Sequence, residues 1–323
     1  MVPSSQSIES NPLFAPIVLF VYNRPKHTLE TLEALCKNEL ADQSILYIFS
    51  DGFNENTNEK TISAINEVRS VIREKQWCKE VIIKEAKRNK GLANSVIDGV
   101  SEVIGKHGKV IVLEDDLIPA RYFLDFMNQA LNRYEENPEI FQISGFSFPA
   151  QGINPEHSCY FLPLTSTWGW ATWKRVWDII DFECKDYTIL KKDKKLAYRF
   201  NLNGAYNYKK MFLQQMESQK VSSWGIRFYW NAFKQNALVL FPDKSLIINN
   251  GWDNSGRHKD SYNIFPTSEW EDNYKILNFP DSANLNKGHI KLISGYLKRR
   301  TSIFTKIIYR LIFIITHLLR NKN

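Results

Sequence analysis

The feature that most constrains this 323-residue chain is a fourfold alternation in its first half. The runs "PIVLFVY" (16–22), "ILYIF" (45–49), "EVIIK" (80–84) and "KVIVL" (109–113) are short and apolar on both faces. Between them apolar residues recur at helical spacing. Leu29, Leu32 and Leu35 follow the first run, Ile62, Ile65, Val68, Val71 and Ile72 the second, and Leu92, Val96, Val100 and Val103 the third. A strand buried on both faces needs cover on both sides, and helical crossovers between parallel strands supply it. The pattern predicts an α/β fold, an open and mainly parallel sheet flanked by helices with right-handed connections.

In such a sheet the carboxyl ends of the strands form the ligand crevice. Here those ends are polar: Asn23-Arg24-Pro25, Ser50-Asp51-Gly52 and Glu114-Asp115-Asp116. Three acids at the end of a buried strand call for a positive partner. Their hard oxygens suit Mn²⁺ or Mg²⁺ carried by a diphosphate, and the plainer reading is a solvated turn. Asp51 reads either as an Asp-Gly turn residue or as a contact to a nucleotide's base or ribose. Arg24 reads as a helix-start residue or as a nucleotide or diphosphate contact. Asn89, Gly91 and Asn94 lie beside the same crevice, where the glycine lets backbone approach a ligand. In "NNGWDNSGRH" (249–258), His258 is a second metal or diphosphate contact, or an ordinary loop residue. Trp168, Trp170, Trp173 and Trp177 are core, or a platform for the apolar face of a sugar acceptor.

The regular alternation stops near residue 145, with no repeat or long linker, so residues 13–285 read as one continuous body. Residues 1–12 read as a flexible polar leader with no secretion signal. The four cysteines (Cys36, Cys78, Cys159 and Cys184) have no metal-ligand spacing and read as reduced thiols of a cytosolic protein. The net charge of +7 is concentrated at one end. Nine of the 42 Lys/Arg follow Asp281 and no acid does, which leaves 33 basic residues against 35 acidic ones in the body. An acidic body without a nucleic-acid motif argues against nucleic acid as a partner. The stretch 286–323 reads as a basic amphipathic helix, its apolar stripe running from Phe304 to Leu319. It is too short and charged to span a bilayer. It suits an anionic membrane surface, or docking to a partner or second subunit.

Together these residues resemble the nucleotide-sugar-dependent glycosyltransferases of the GT-A fold, Rossmann-like in their first half. More narrowly they resemble bacterial relatives of the N-acetylglucosaminyltransferase that starts complex N-glycans. The stretches that carry the resemblance are "PIVLFVYNRP", "YIFSDG", "RNKGLANSV", "VIVLEDDLIP", "STWGWATWKRVW" and "NNGWDNSGRH", between residues 15 and 260. The resemblance implies a nucleotide-sugar half (13–145) and an acceptor half (146–285). It implies that Arg24 and Asp51 contact the nucleotide, that Asp116 ligates a divalent metal, and that Glu114 and Asp115 contact sugar and ribose. It also implies that the loop of His258 closes on the diphosphate. One departure stands out. Where the related enzymes carry a catalytic aspartate after a tryptophan, this chain reads "SSWGIRF", with Gly225 and Ile226. Asp253 and Asp181 are then the available base candidates, and Arg227 could hold a phosphate.

The implied activity is transfer of a hexosyl or N-acetylhexosaminyl group from a nucleoside-diphosphate sugar to a glycan or lipid-linked glycan. The expected setting is bacterial surface polysaccharide synthesis (O-antigen or capsule), at the inner face of the cytoplasmic membrane. A sugar nucleotidyltransferase is the second enzyme reading, although "VYNRPKHT" lacks the glycine-rich phosphate loop of that class. A non-catalytic nucleotide-sugar or glycan-binding protein is the third.

Overall fold

The apolar runs form strands because β-branched and aromatic residues pack well on a pleated, covered surface. The computed structural model describes residues 14–153, 157–218, 222–253, 265, 270–302 and 305. Its strands are β1 (Ile17–Val21), β2 (Ile45–Ser50), β3 (Glu80–Glu85), β4 (Lys109–Glu114), β5 (Leu117–Pro119), β6 (Ile140–Ser144), β7 (Cys159–Leu162), β8 (Trp170–Trp173), β9 (Leu238–Pro242) and β10 (Ile247–Asn249). The helices of the first half are α1 (Pro25–Cys36), α2 (Glu59–Val71), α3 (Leu92–His107) and α4 (Phe123–Arg133). The second half adds the short α5 (Lys174–Trp177), α6 (Ile189–Lys192), α7 (Lys194–Phe200) and α8 (Tyr208–Leu213), then α9 (Trp224–Lys234) and α10 (Lys287–Thr301).

Eight strands form one sheet in the order β3-β2-β1-β4-β8-β6-β9-β7. Pairings β1–β2, β2–β3, β1–β4 and β6–β9 are parallel, and β4–β8, β6–β8 and β7–β9 are antiparallel. The fold is therefore α/β, with an open mixed sheet, mainly parallel, flanked by helices. β1 and β4 lie inside it and are buried almost throughout. β3 and β7 are the edge strands, and no residue of β3 is fully buried. Lys84 of β3 pairs with Glu102 on α3, a charge that discourages further strand addition. Strands from beyond residue 145 thus continue the same sheet, so β4 has β1 on one side and β8 on the other.

Two apolar clusters lie in the body. The larger surrounds β1, β2, β4, β6 and β8 with α2, α3 and α4. The smaller gathers Phe200, Phe212, Tyr229, Trp230 and Phe241. Against the smaller one α10 packs Ile293, Tyr296 and Leu297 while exposing Lys291, Lys298 and Arg299. Over 287–301 the C-terminal helix is docked on the body by one apolar face, and most of the expected stripe from Phe304 onward lies outside the described residues. Among the described residues no helix is long and apolar enough to cross a membrane. All four cysteines are free thiols.

Candidate functional site

The acid cluster finds its positive partner within the chain. β1 ends beside β4, so the segment after β1 delivers Arg24 to the turn after β4. Arg24 is the residue before α1, with Pro25 opening the helix. Its Nη2 pairs with Asp115 and, at 2.9 Å, with Asp116 Oδ2; Nε also faces Asp115. The side chains are 16% (Arg24), 7% (Asp115) and 15% (Asp116) exposed, so the three charges meet away from water. Burial lifts the Asp115 carboxyl to about 6, against the pull of Arg24 and with the push of Asp116. Burial also opposes the Arg24 charge, but the two acids outweigh it and raise its pKa. The main chain locks the arrangement, with Thr31 Oγ1 on α1 donating to the Asp115 carbonyl at 2.9 Å.

Asp51, buried after β2, organises the neighbouring loop. Its Oδ1 accepts N–H bonds from Gly52 (2.8 Å) and Lys90 (2.9 Å), and Oδ2 accepts from Gly91 (3.0 Å). Asn89 Nδ2 donates to the Gly52 carbonyl at 3.2 Å, and Asn94 Nδ2 to the Lys90 carbonyl at 3.0 Å. Gly91 leads into α3 with φ of 76°, a conformation that L side chains rarely adopt. Asp51, Asn89, Gly91 and Asn94 therefore form one connected loop structure beside the end of β1. Tyr22 joins it: its hydroxyl pKa is raised by burial and by Asp51, and Asn89 lies within hydrogen-bonding reach.

A small ribbon covers the acids. β5 pairs antiparallel with β10, and Asn250 N–H donates to the Asp116 carbonyl at 3.0 Å. Gly251 follows, and a Cβ there would stand 2.2 Å from Asp116 Oδ2 and 3.1 Å from Arg24 Nη1. Asn250 Nδ2 reaches Glu30 on α1 at 2.6 Å, and Asp253 meets the buried His27 of α1 at 3.2 Å. Asp253 is 49% exposed and belongs to the surroundings of the acid pair. Asp181 lies elsewhere, in the segment after α5, where its Oδ1 caps Glu183 N–H at 2.8 Å. Sequence reading missed Tyr22, His27, Glu30, Asn250 and Gly251. The available signals were an aromatic residue directly before Asn23-Arg24 and the repeated Asn-Asn-Gly after an apolar run.

Arg227 is not part of the acid cluster. It donates to the carbonyls of Ser223 (3.1 Å) and Phe182 (3.1 Å), and it lines a cleft with Asn94. Gly225 is a packing requirement, because a Cβ there would stand 2.5 Å from Thr167 Cγ2. The acceptor platform is corrected for two tryptophans. Trp170 is fully buried and stacks on Trp224 at 4.7 Å between centroids, while buried Trp173 donates Nε1–H to the Leu131 carbonyl at 2.9 Å. Buried rings offer a ligand no face; Trp177 is likewise buried, donating to Ser101. Only Trp168 is half-buried, packed edge-on against Phe146 and Phe265.

For the metal, Asp116 presents hard carboxylate oxygens at the crevice, one of them held by Arg24. His258 lies outside the described residues, among which no three His, Cys, Asp or Glu side chains converge as a metal cage. The donor set fits an ion brought in by a diphosphate, which needs one or two carboxylates and keeps its other positions for phosphate and water.

No protein-family model matches the chain, and no curated protein matches it. Solved structures to which it is similar include a mannosyltransferase of Pyrobaculum calidifontis in complex with GDP-Man and Mn²⁺, at 12% identity over 71% of this chain and 77% of that one, TM-score 0.37. Mouse xyloside xylosyltransferase 1 in its apo form is 10% identical over 68% of this chain and 80% of its own, TM-score 0.32. The glycosyltransferase GlyE of Streptococcus pneumoniae TIGR4 is 15% identical over 70% of this chain and 45% of its own, TM-score 0.33. At scores this low the likenesses carry no argument, and the description of the fold rests on the strand pairings above.

Proposed function

We propose that this chain is a nucleotide-sugar-dependent glycosyltransferase that moves a hexosyl or N-acetylhexosaminyl group onto a glycan of the bacterial surface. The observation that carries the reading is the placement of the Arg24–Asp115–Asp116 cluster and the Asp51-held loop at the adjacent carboxyl ends of the parallel strands β4, β1 and β2. Such an edge suits a ligand with a diphosphate at one end and a base and ribose at the other.

In the transfer, the bond from the anomeric carbon to the diphosphate breaks and a bond to an acceptor hydroxyl oxygen forms. The hydroxyl proton passes to a base. A divalent ion held at Asp116 supplies Lewis-acid neutralisation of the leaving diphosphate when bound. Arg24 contributes a fixed guanidinium suited to phosphate oxygens. Asp115 aims that guanidinium, and Asp51 holds the Lys90–Gly91 backbone in place. Of the two base candidates Asp253 is favoured, because it is solvent-accessible and oriented by His27 beside the acids. The amphipathic C-terminal segment supports a peripheral position on the inner face of the cytoplasmic membrane, with a lipid-linked acceptor.

Asp116→Asn should abolish Mn²⁺-dependent binding of a nucleoside diphosphate while leaving the melting temperature nearly unchanged. Calorimetry showing undiminished Mn²⁺-dependent binding would remove Asp116 from the metal role. The packing of Gly225 against Thr167 favours a second reading, a non-catalytic binder of the same ligand. Donor hydrolysis with Mn²⁺ separates the classes: a transferase slowly releases nucleoside diphosphate, a nucleotidyltransferase releases pyrophosphate, and a binder releases neither.

A further inference from the structure

The two arginines near the crevice differ in one respect. Arg24 is neutralised by two carboxylates, whereas half-buried Arg227 makes no ion pair with a carboxylate among the described residues. Burial lowers its pKa, with Cys184 acting the other way. A desolvated guanidinium without a counter-charge is costly, so an anion from outside is the natural complement. Arg175 shows the alternative. It is also partly buried, but it donates to the carbonyls of Glu135, Tyr134 and Ile140 and lies near two glutamates. Arg227 uses Nε and one N–H of Nη1 on backbone carbonyls, which leaves three of its five N–H groups for a ligand.

Arg227 lines a cleft of about 590 Å³ between the first turn of α3 and the start of α9. Asn94 lines one side, Phe182, Glu183 and Lys185 another, and Gln215 and Ser222 add polar groups. Glu183 is the acid of the lining, and Lys185 neutralises it at 2.6 Å. The net charge of the cleft is therefore that of Arg227. The ring of Phe182 lies under the guanidinium at 5.8 Å and gives an apolar floor beside the charge. A second hollow, lined by Lys209, Lys210, Gln214 and Glu217 at α8, contains no buried charge in need of a partner.

We propose that the Arg227 cleft binds an anionic sugar or polyol, through a carboxylate or phosphate group seated on Arg227. Asn94, in the first turn of α3, donates to the Lys90 carbonyl of the loop held by Asp51, so an occupant of the cleft lies next to the donor crevice. Calling that occupant the acceptor rests on the glycosyltransferase reading; the anion site does not.

The test titrates the full chain with glucuronate, glycerol 3-phosphate and neutral glucose, with and without a saturating nucleoside diphosphate. Both anions, or one of them, should bind and glucose should not; the difference between the two probes identifies carboxylate or phosphate as the preferred group. Arg227→Gln should weaken binding at least tenfold and Arg227→Lys less. Lys185→Gln, at a highly exposed position that the fold does not need, should strengthen the effective repulsion from Glu183 and weaken binding severalfold. If the nucleoside diphosphate displaces the anion, Arg227 belongs to the donor site and the proposal falls. It falls equally if neither anion binds, or if Arg227→Gln binds as tightly as the wild type. If the anions bind but no nucleoside diphosphate does, the glycosyltransferase reading fails and the anion cleft stands.

Discussion

Asp51 has both carboxylate oxygens engaged by backbone N–H groups of its own turn and of the loop before α3. Asp51→Ala leaves three N–H donors without that acceptor and should cost roughly 2–4 kcal/mol of stability, together with nucleotide affinity. Asp51→Asn should cost less, because its remaining oxygen still serves Gly52 and Lys90. Denaturant unfolding of both variants, with calorimetry of a nucleoside diphosphate, checks the order. A pure ligand contact would leave stability untouched. The importance of Asp51 was legible because it ends a strand before glycine, but its partners were not, since residues 90 and 91 are distant in sequence. The acid cluster likewise announced its need for a cation. That Arg24 supplies one became visible only when β1 and β4 lay side by side. Trp170 and Trp173 were ambiguous for a different reason: a large ring that fills a core and one that receives a sugar look the same in a sequence.

At the scale of elements, β1 to β4 fall within a residue or so of the limits of their apolar runs, because each run is bounded by polar turns. β8 and β10 were harder to read, being three or four residues long and defined by their neighbours. The start of α9 shows how an element can exclude a side chain. Gly225→Ala should cost about 1–3 kcal/mol by forcing a methyl into Thr167. Thr167→Ser removes the obstructing methyl and should recover part of that cost, with a coupling above about 0.5 kcal/mol in a double-mutant cycle. Additive costs would mean that the contact is not what requires glycine. α10 carries a pH dependence of its own. His289 is buried against Tyr160, and burial lowers its pKa from 6.5. The unfolded chain then binds the proton more readily than the folded one. The stabilising contribution is full above the unfolded value and declines as pH falls below it. Wild-type stability should therefore drop more than that of His289→Gln between pH 7.5 and 5.5, as read by thermal melts. Parallel curves would show that the imidazole stays solvated.

At the scale of the molecule, the C-terminal segment divides at about residue 305. Up to Thr301 it is a helix docked on the smaller core, so a truncation meant to test membrane binding should begin at Lys306. Deleting 306–323 removes Lys306, Arg310, Arg320 and Lys322, each worth about 1 kcal/mol at an anionic surface. The truncated protein should leave anionic vesicles in a sedimentation assay and keep the melting temperature of the body. Undiminished co-sedimentation would assign the tail to another contact. The strand order β1-β4-β8-β6-β9 has a further consequence, for synthesis on the ribosome. β6 has no partner in the sheet until β8 and β9 arrive, roughly thirty and a hundred residues later. β4 meanwhile presents an unpaired edge to solvent. The nascent chain therefore passes through a long interval in which a strand that is buried in the finished sheet is open on one side. Until residue 242 has been made, that open edge is where the chain is exposed to pairing with another strand.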